Sequence, residues 1–337
     1  MRARFDLRWL TTGALVILLV LAPLRLHRFP YQMSVVTGAF FYAILASSWA
    51  LLAGVAGQFS FAHMALMGIG AYTSGLLGQY LGTTPLVGIV AGTLMAGVVG
   101  LIIGLLCLRL RGAYLALFTI AFSEILRLII LTEYRFTEGS RGLQMPPLYP
   151  GITHTAQYYI TLAMLLSIMG FMYWLAGSRF GLFMRAMRED EEAAAAMGVN
   201  VVRYKVLVFV ITSLIVGLAG AVFYHQVGII TPNTMEILQM SLVIAFAVIG
   251  GIESLMGAAI GAFLCRISLE LLREFHIFGF HVELGIWRYA AFGLLLMFTL
   301  RFAQNGLLYP LVDRLFLRRA REEAVAKRRR VAEVKAS

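Results

Sequence analysis

Charge is scarce in this chain: Lys, Arg, Asp and Glu make up 13% of its 337 residues, against about 25% in a typical soluble domain. A water-soluble enzyme and a disordered tail are both excluded. Lysine is scarcer still. Lys205, Lys327 and Lys335 follow Tyr204, Ala326 and Val334 rather than glycine, so there is no GxxxxGK(S/T) phosphate cradle and the chain does not hold ATP in that way. The cysteines, Cys107 and Cys265, both lie in apolar stretches and carry no redox or metal signal. There is no HExxH and no acidic cluster with ligand spacing. No metal, no cofactor and no catalytic residue are therefore expected on this chain, which is not expected to be an enzyme.

Apolar residues are what the chain has in abundance. They make up 60% of it and gather into runs of about 20 residues, each long enough to cross ~30 Å of hydrocarbon as a helix. The expected fold is all-α, a polytopic membrane protein of about ten transmembrane helices. The candidate spans are Trp9–Leu24, Tyr31–Ala53, Phe61–Leu81, Leu86–Leu108, Ala113–Leu131, Tyr158–Gly177, Val206–Val227, Leu238–Gly250, Leu255–Glu274 and Ile286–Phe302. Gly250 and Gly251 interrupt the stretch 238–274, which fits either two short helices or a re-entrant element. The first span follows Arg2, Arg4 and Arg8 as a signal peptide would. It lacks a small-x-small cleavage site and is read as a retained helix.

Ten spans with an inner N-terminus place nineteen basic residues in inner connections, including Arg109, Arg111 and the clusters Arg179–Lys205 and Arg314–Lys335. Four fall outside: Arg25, Arg28, Arg135 and Arg141. Lys and Arg are retained on the cytoplasmic side, so both termini are expected there. Residues 1–308 then form the transmembrane domain, with a cytoplasmic loop at 178–205, and residues 309–337 form a basic cytoplasmic tail. The net charge of +11 suits anionic membrane lipid and needs no nucleic acid.

Two patterns concern packing. Gly88, Gly92, Ala96, Gly100 and Gly104 recur every four residues, a ridge that lets another helix approach closely, either within one subunit or between two. Ser60–Tyr72 and Ser254–Phe263 share a serine followed by small residues, a hint of the duplication common in transporters.

The loop 178–205 carries Phe180, Phe183, Met184 and Met187 at i, i+3, i+4 and i+7, one apolar face of a short helix. Arg185, Arg188, Glu189 and Glu192 project elsewhere, Ala193–Ala196 favours helix, and Gly198 sits where a helix would stop. An anionic lipid surface would repel Glu189, Asp190, Glu191 and Glu192. A protein groove suits the mixed charge better, and an adaptable Met and Phe face fits an element that docks on a moving partner.

Charges at membrane depth usually face protein or water. Glu124 and Arg127 are spaced i, i+3, and Glu270 lies within a turn of both Arg266 and Arg273, so each glutamate has a neighbour to neutralise it. A gating or substrate role is the alternative. Gln58, Ser60 and His63 cluster before the third span. Ser60 fits a helix cap or, with His63, a polar gate.

These residues carry a resemblance. GQFSFAHMALMGIGAY (57–72), LRGAYLALFTIAFSEILR (110–127) with TEGSRGL (137–143), SRFGLFMRAMREDEEAAAAMGVNVVRYK (178–205) and VIGGIESLMGAAIGA (248–262) occur in order. The chain resembles permeases of branched-chain amino acid ABC importers, LivM type. It departs from that pattern at Ala62, Glu138, Glu253 and Ala258, where glycine or proline is usual, and Glu253 adds a charge near the interruption at Gly250 and Gly251.

The resemblance implies a subunit of the bacterial inner membrane. Its partners would be a second related permease, two cytoplasmic ATPases that hold ATP and Mg, and a periplasmic solute-binding protein. It makes Phe180–Gly198 the coupling element, with Phe180, Phe183, Met184, Arg185, Met187, Arg188, Glu189, Glu192 and Gly198 at the ATPase contact. The translocation path is expected near Gln58, Ser60, His63, Tyr72, Tyr114, Glu124 and Ser254. Branched-chain amino acids are the default solute, with urea and amides among close relatives. The rival readings are a self-contained carrier or channel using Glu124 or Glu270, and an intramembrane enzyme using His63.

Overall fold

A computed structural model describes residues 17–25, 29–107, 110, 112–149, 151–272, 274–277, 280–283, 287–302 and 306. Arg2, Arg4, Arg8, Arg273, most of the first candidate span and the tail 309–337 lie outside the described residues, as do the termini. After helical residues 17–25, α1 (Pro30–Trp49) starts on a proline at its first turn, where the missing N–H costs nothing. It continues into a wider π turn, Ala50–Val55. Then follow α2 (His63–Leu81), α3 (Pro85–Leu106), α4 (Ala113–Thr132), α5 (His154–Gly177), α6 (Arg179–Glu189), α7 (Glu191–Ala196), α8 (Val201–Val227), α9 (Ile237–Gly250), α10 (Leu255–Leu271) and α11 (Trp287–Phe302).

Among the described residues five helices are long and apolar enough to cross a membrane: Pro30–Val55, α3, α4, α5 and α8, with the bent pair α9 and α10 as a sixth span if counted together. The protein is all-α and polytopic, and the count of ten is not reached on these residues. The 19 residues of α2 are long enough to span but richer in polar and small residues. The stretch 238–274 resolves into two short helices bent by 119° at the break. Helix α10 stops at Leu271, and beyond it β3 (Glu274–Ile277) pairs antiparallel with β4 (Phe280–Glu283).

The glycine ridge packs inside the subunit. A Cβ at Gly92 would collide with the Gly70 carbonyl on α2, and one at Gly100 with the Ser213 side chain on α8. Gly217 on α8 meets Ala96 in return, so α2, α3 and α8 lie backbone against backbone, as small-residue rows allow. Beside this triad α1 runs antiparallel to α10. Phe40 stacks on Phe263 at 5.5 Å and meets Tyr158 of α5 edge-on at 5.2 Å. Helix α1 is apolar on all sides and correspondingly buried.

The loops sort to two ends. Arg179–Lys205, the π turn of α1, the break between α9 and α10, and the start of α4 share one end. We call it the inner end for its arginines. At the other end β1 (Leu143–Gln144) pairs antiparallel with β2 (Ile229–Ile230). From β2 the chain descends along α2 as extended residues and a 3₁₀ turn, Pro232–Met235, until Met235 packs on Gly68. Helix α9 begins there, so its outer half is replaced by non-helical chain.

Candidate functional site

At the inner end two of the sequence motifs and the turn just before a third converge on one side chain. Arg188, near the end of α6, donates from Nη1 to the Gly54 carbonyl in the π turn of α1 at 2.6 Å. Its Nη2 pairs with Glu253 in the α9–α10 break at 2.5 Å. A π turn closes i→i+5 bonds and is wider than an α turn. The Gly54 position in it also presses on the Ile252 backbone, with no room for a Cβ. Gly57 (φ +74°) and Gly251 (φ +109°) let the chain turn out of both helices. Ser60 and Ser254 follow these two turns. Ser60 Oγ accepts from Ala62 N at 3.1 Å, and Ser254 Oγ caps α10 by accepting from Gly257 N at 3.0 Å. The two similar sequence segments thus occupy equivalent places, each a helix restart after a break.

The loop is not one helix. Asp190 leaves helical geometry (φ −153°, ψ 111°) and caps α7, accepting from Glu192 N at 2.9 Å and Ala193 N at 3.0 Å. Gly198, at φ +85°, ends the element as its sequence position suggests. The expected apolar docking face points the other way. Met184 and Met187 are buried within this chain, and Phe180 and Phe183 pack on the Tyr204 ring at 5.3 and 5.0 Å. Burying that stripe against the subunit's own helices removes apolar area from water without a partner. Arg188 is partly exposed, but its guanidinium is held by Gly54 and Glu253 of this chain. The residues that the loop exposes include Leu182, Arg185, Ala186, Glu189, Glu192 and Met197. Lys205 pairs with Glu191, and Gln58 Nε2 donates to the Lys205 carbonyl at 3.3 Å, stapling α7 and the post-α1 turn to the base of α8.

The residues expected along a path do not meet in one cavity. His63 is fully buried at the first turn of α2, where neither ring nitrogen makes a hydrogen bond of ordinary geometry, and the Ser48 main chain faces the ring. Tyr72 is buried toward the outer end, its hydroxyl donating to the Ile230 carbonyl at 3.4 Å. Tyr114 is exposed at the start of α4. Glu124 pairs with Arg127 on α4, and Glu270 with Arg266 at 2.9 Å and with the Tyr31 hydroxyl at 2.7 Å, the neutralisation their spacing predicts. A cavity bordered by Leu19, Phe40, Met169, Met256 and Phe263 is apolar throughout and offers nothing to a charged solute.

Sequence reasoning passed over two features. His225 on α8 bonds Ser74 at 2.7 Å and the Pro146 carbonyl at 2.6 Å, tying α2 to the outer loop. Partners so distant in sequence leave no local pattern. Glu253 stood out as an unusual charge, but only the fold reveals Arg188 as its partner.

The family described as branched-chain amino acid transport system / permease component matches residues 32–300. The chain is similar to the high-affinity branched-chain amino acid transport system permease protein LivM of Escherichia coli K12, with 28% identity covering 82% of this chain and 72% of that protein. The LivM protein of Salmonella typhimurium LT2 is 27% identical over the same shares. The corresponding LivH protein of E. coli K12 is 30% identical over 68% of this chain and 81% of its own length. No solved structure matches. A match through the helices that carry both breaks and the loop between α5 and α8 places the chain in the family of branched-chain amino acid transport system permease components.

Proposed function

We propose that this chain is one of two permease subunits in an ATP-driven importer of branched-chain or related amino acids in a bacterial inner membrane. The relatives named LivM and LivH, both similar to this sequence, support a pair of unlike permeases. In this reading a periplasmic binding protein delivers solute, and two ATPases bind ATP and Mg and apply force at the inner end. The chain itself hydrolyses nothing.

The observation that carries this reading is the Arg188 junction. The exposed side of α6 and α7, with Leu182, Arg185, Glu189, Glu192 and Met197, receives the ATPase. Met184, Met187 and Phe180 fix the same helices to the membrane domain. A displacement of α6 is passed through Arg188 to the π turn of α1 and to the Gly251–Ser254 hinge at once. Breaks in two neighbouring spans then move together, a population shift between outward and inward states biased by nucleotide. The ion pair is half-exposed and adds little stability. Its value is geometric, and the Gly54 carbonyl bond, donated by a charge, is the stronger link.

The test is uptake by proteoliposomes containing both permeases, the ATPases and the binding protein. Leucine accumulation is expected to require ATP and every subunit, and accumulation by this chain alone under an ion gradient would overturn the reading. Within the working complex, Arg188→Ala is expected to leave assembly and ATP hydrolysis in place while uptake falls at least about tenfold, the equivalent of one charged hydrogen bond.

A further inference from the structure

An ion pair on α4, the least buried of the described spans, has a third charge near it. Arg127 and Glu124 form a forked pair on α4, Nη2 to Oε1 at 2.5 Å and Nε to Oε2 at 3.0 Å. Only 22% of the α4 span is buried within the subunit, and these two side chains remain 17% and 35% exposed. Glu236 sits between the 3₁₀ turn Pro232–Met235 and α9, both of which pack against α4, and its charge favours the charged form of Arg127. Its main chain bonds Asn233, Gln239 and Met240, but its carboxylate does not cap its own helix, although a side chain at that position ordinarily accepts from the first amides.

The depth follows from contacts. Phe61 N donates to Thr119 Oγ1 at 3.0 Å, so Arg127, two turns further out, lies level with Gly68 of α2. Met235, beside Glu236, packs on that same Gly68. The 3₁₀ turn before α9 therefore lies at the depth of the spanning helices, where irregular backbone survives only against protein or beside water. Exposed charge at that depth obeys the same limit. The face cannot be turned to lipid, so it borders either the second permease or a wet path between the two.

The charges do not cancel. One arginine and two glutamates leave a net negative charge, which is costly in a low-dielectric setting until a cation joins it. Beside it, Gln239 N and Met240 N already donate to the Glu236 carbonyl, which leaves the amides of Ile237 and Leu238 at the positive end of the helix dipole, so together with Arg127 they favour an anion. A group bearing a cation and an anion a few ångströms apart fits both demands. Next to these groups Leu128, Ile237 and Leu238 are exposed and apolar.

We propose that Arg127, Glu236 and the first turn of α9 form a mid-membrane binding site for a zwitterionic α-amino acid during translocation. Glu236 takes the ammonium, Arg127 and the α9 amides take the carboxylate, and Leu128, Ile237 and Leu238 take an aliphatic side chain. Glu124 holds the arginine in position while the site is empty. This inference rests on the importer reading, since it needs solute to pass along this face.

The test uses the complete importer in proteoliposomes with leucine and its binding protein. Glu236→Gln and Arg127→Gln are expected to lower ATP-driven leucine uptake about tenfold or more, with all subunits still copurifying and ATP still hydrolysed. Uptake within about twofold of wild type would overturn the site. A wild-type complex without ATP-dependent uptake would sink the importer reading instead, which separates the two failures. Should either variant not assemble, Glu236→Cys in a Cys107→Ser, Cys265→Ala background is treated with a cationic methanethiosulfonate. Modification slowed by leucine-loaded binding protein is expected. A thiol that does not react, as when a basic residue of the second permease fills the gap, or one that leucine does not protect, would overturn the proposal.

Discussion

The span Pro30–Val55 and helix α4 are both apolar stretches long enough to cross a bilayer, yet 83% of the first is buried within the subunit and only 22% of the second. Apolar length says that a helix enters the membrane and nothing about what covers it there. The difference shows in the side chains. On α1 the polar groups turn inward: Ser47 bonds the Leu255 carbonyl at 3.2 Å and Trp49 the Ser60 carbonyl at 2.8 Å. On α4 Leu117, Ile125, Leu128 and Ile129 stay uncovered, and the pair Glu124 and Arg127 is only partly covered. A helix of the first kind holds the subunit together. One of the second kind awaits a neighbour.

The comparison can be broken at several points. The buried side should be the more fragile. Met184→Asp puts an unpaired charge under α6 and is expected to destabilise the chain by about 3–5 kcal/mol, seen as loss of monodisperse protein in detergent. A variant that stays folded and releases only the ATPases would restore the apolar stripe as the docking face. Gly92→Val drives a branched side chain into the Gly70 backbone and is expected to cost about 1–3 kcal/mol, read as a lower unfolding temperature. On α4, Leu117→Trp with Ile125→Trp should barely change the stability of the isolated chain, yet should reduce copurification of the second permease several-fold. An equal loss in the isolated chain would mean that this face is packed internally. The mildest changes, Leu182→Ser and Met197→Ser, are expected to shift stability by under about 0.5 kcal/mol while weakening ATPase binding.

Much of this was legible in the sequence. The apolar runs located the helices, the four-residue glycine period marked the closest packing, and the i, i+3 spacing of Glu124 and Arg127 foretold their pair. Gly250-Gly251 marked a break. Periodicity also identified the apolar stripe 180–187 but could not say which body it faces, because the signal for burial against one's own subunit and against a partner is the same. Asp190 was read as charge when its work is to cap a second helix. Contacts between distant segments, such as Arg188 with Gly54 and Glu253 or His225 with Ser74, leave no trace in local spacing. Glu236 gained meaning only once α9 was found to start halfway through its span.

That halfway start has a consequence for the bilayer. Backbone amides between Ile230 and Ile237 without helical partners must be solvated or sheathed by protein, so water will follow them inward wherever no neighbour lies against them. An unaccompanied copy of this subunit would be a weak point in the permeability barrier. Pairing of the two permeases is then as much a matter of keeping protons and salts out as of letting solute in.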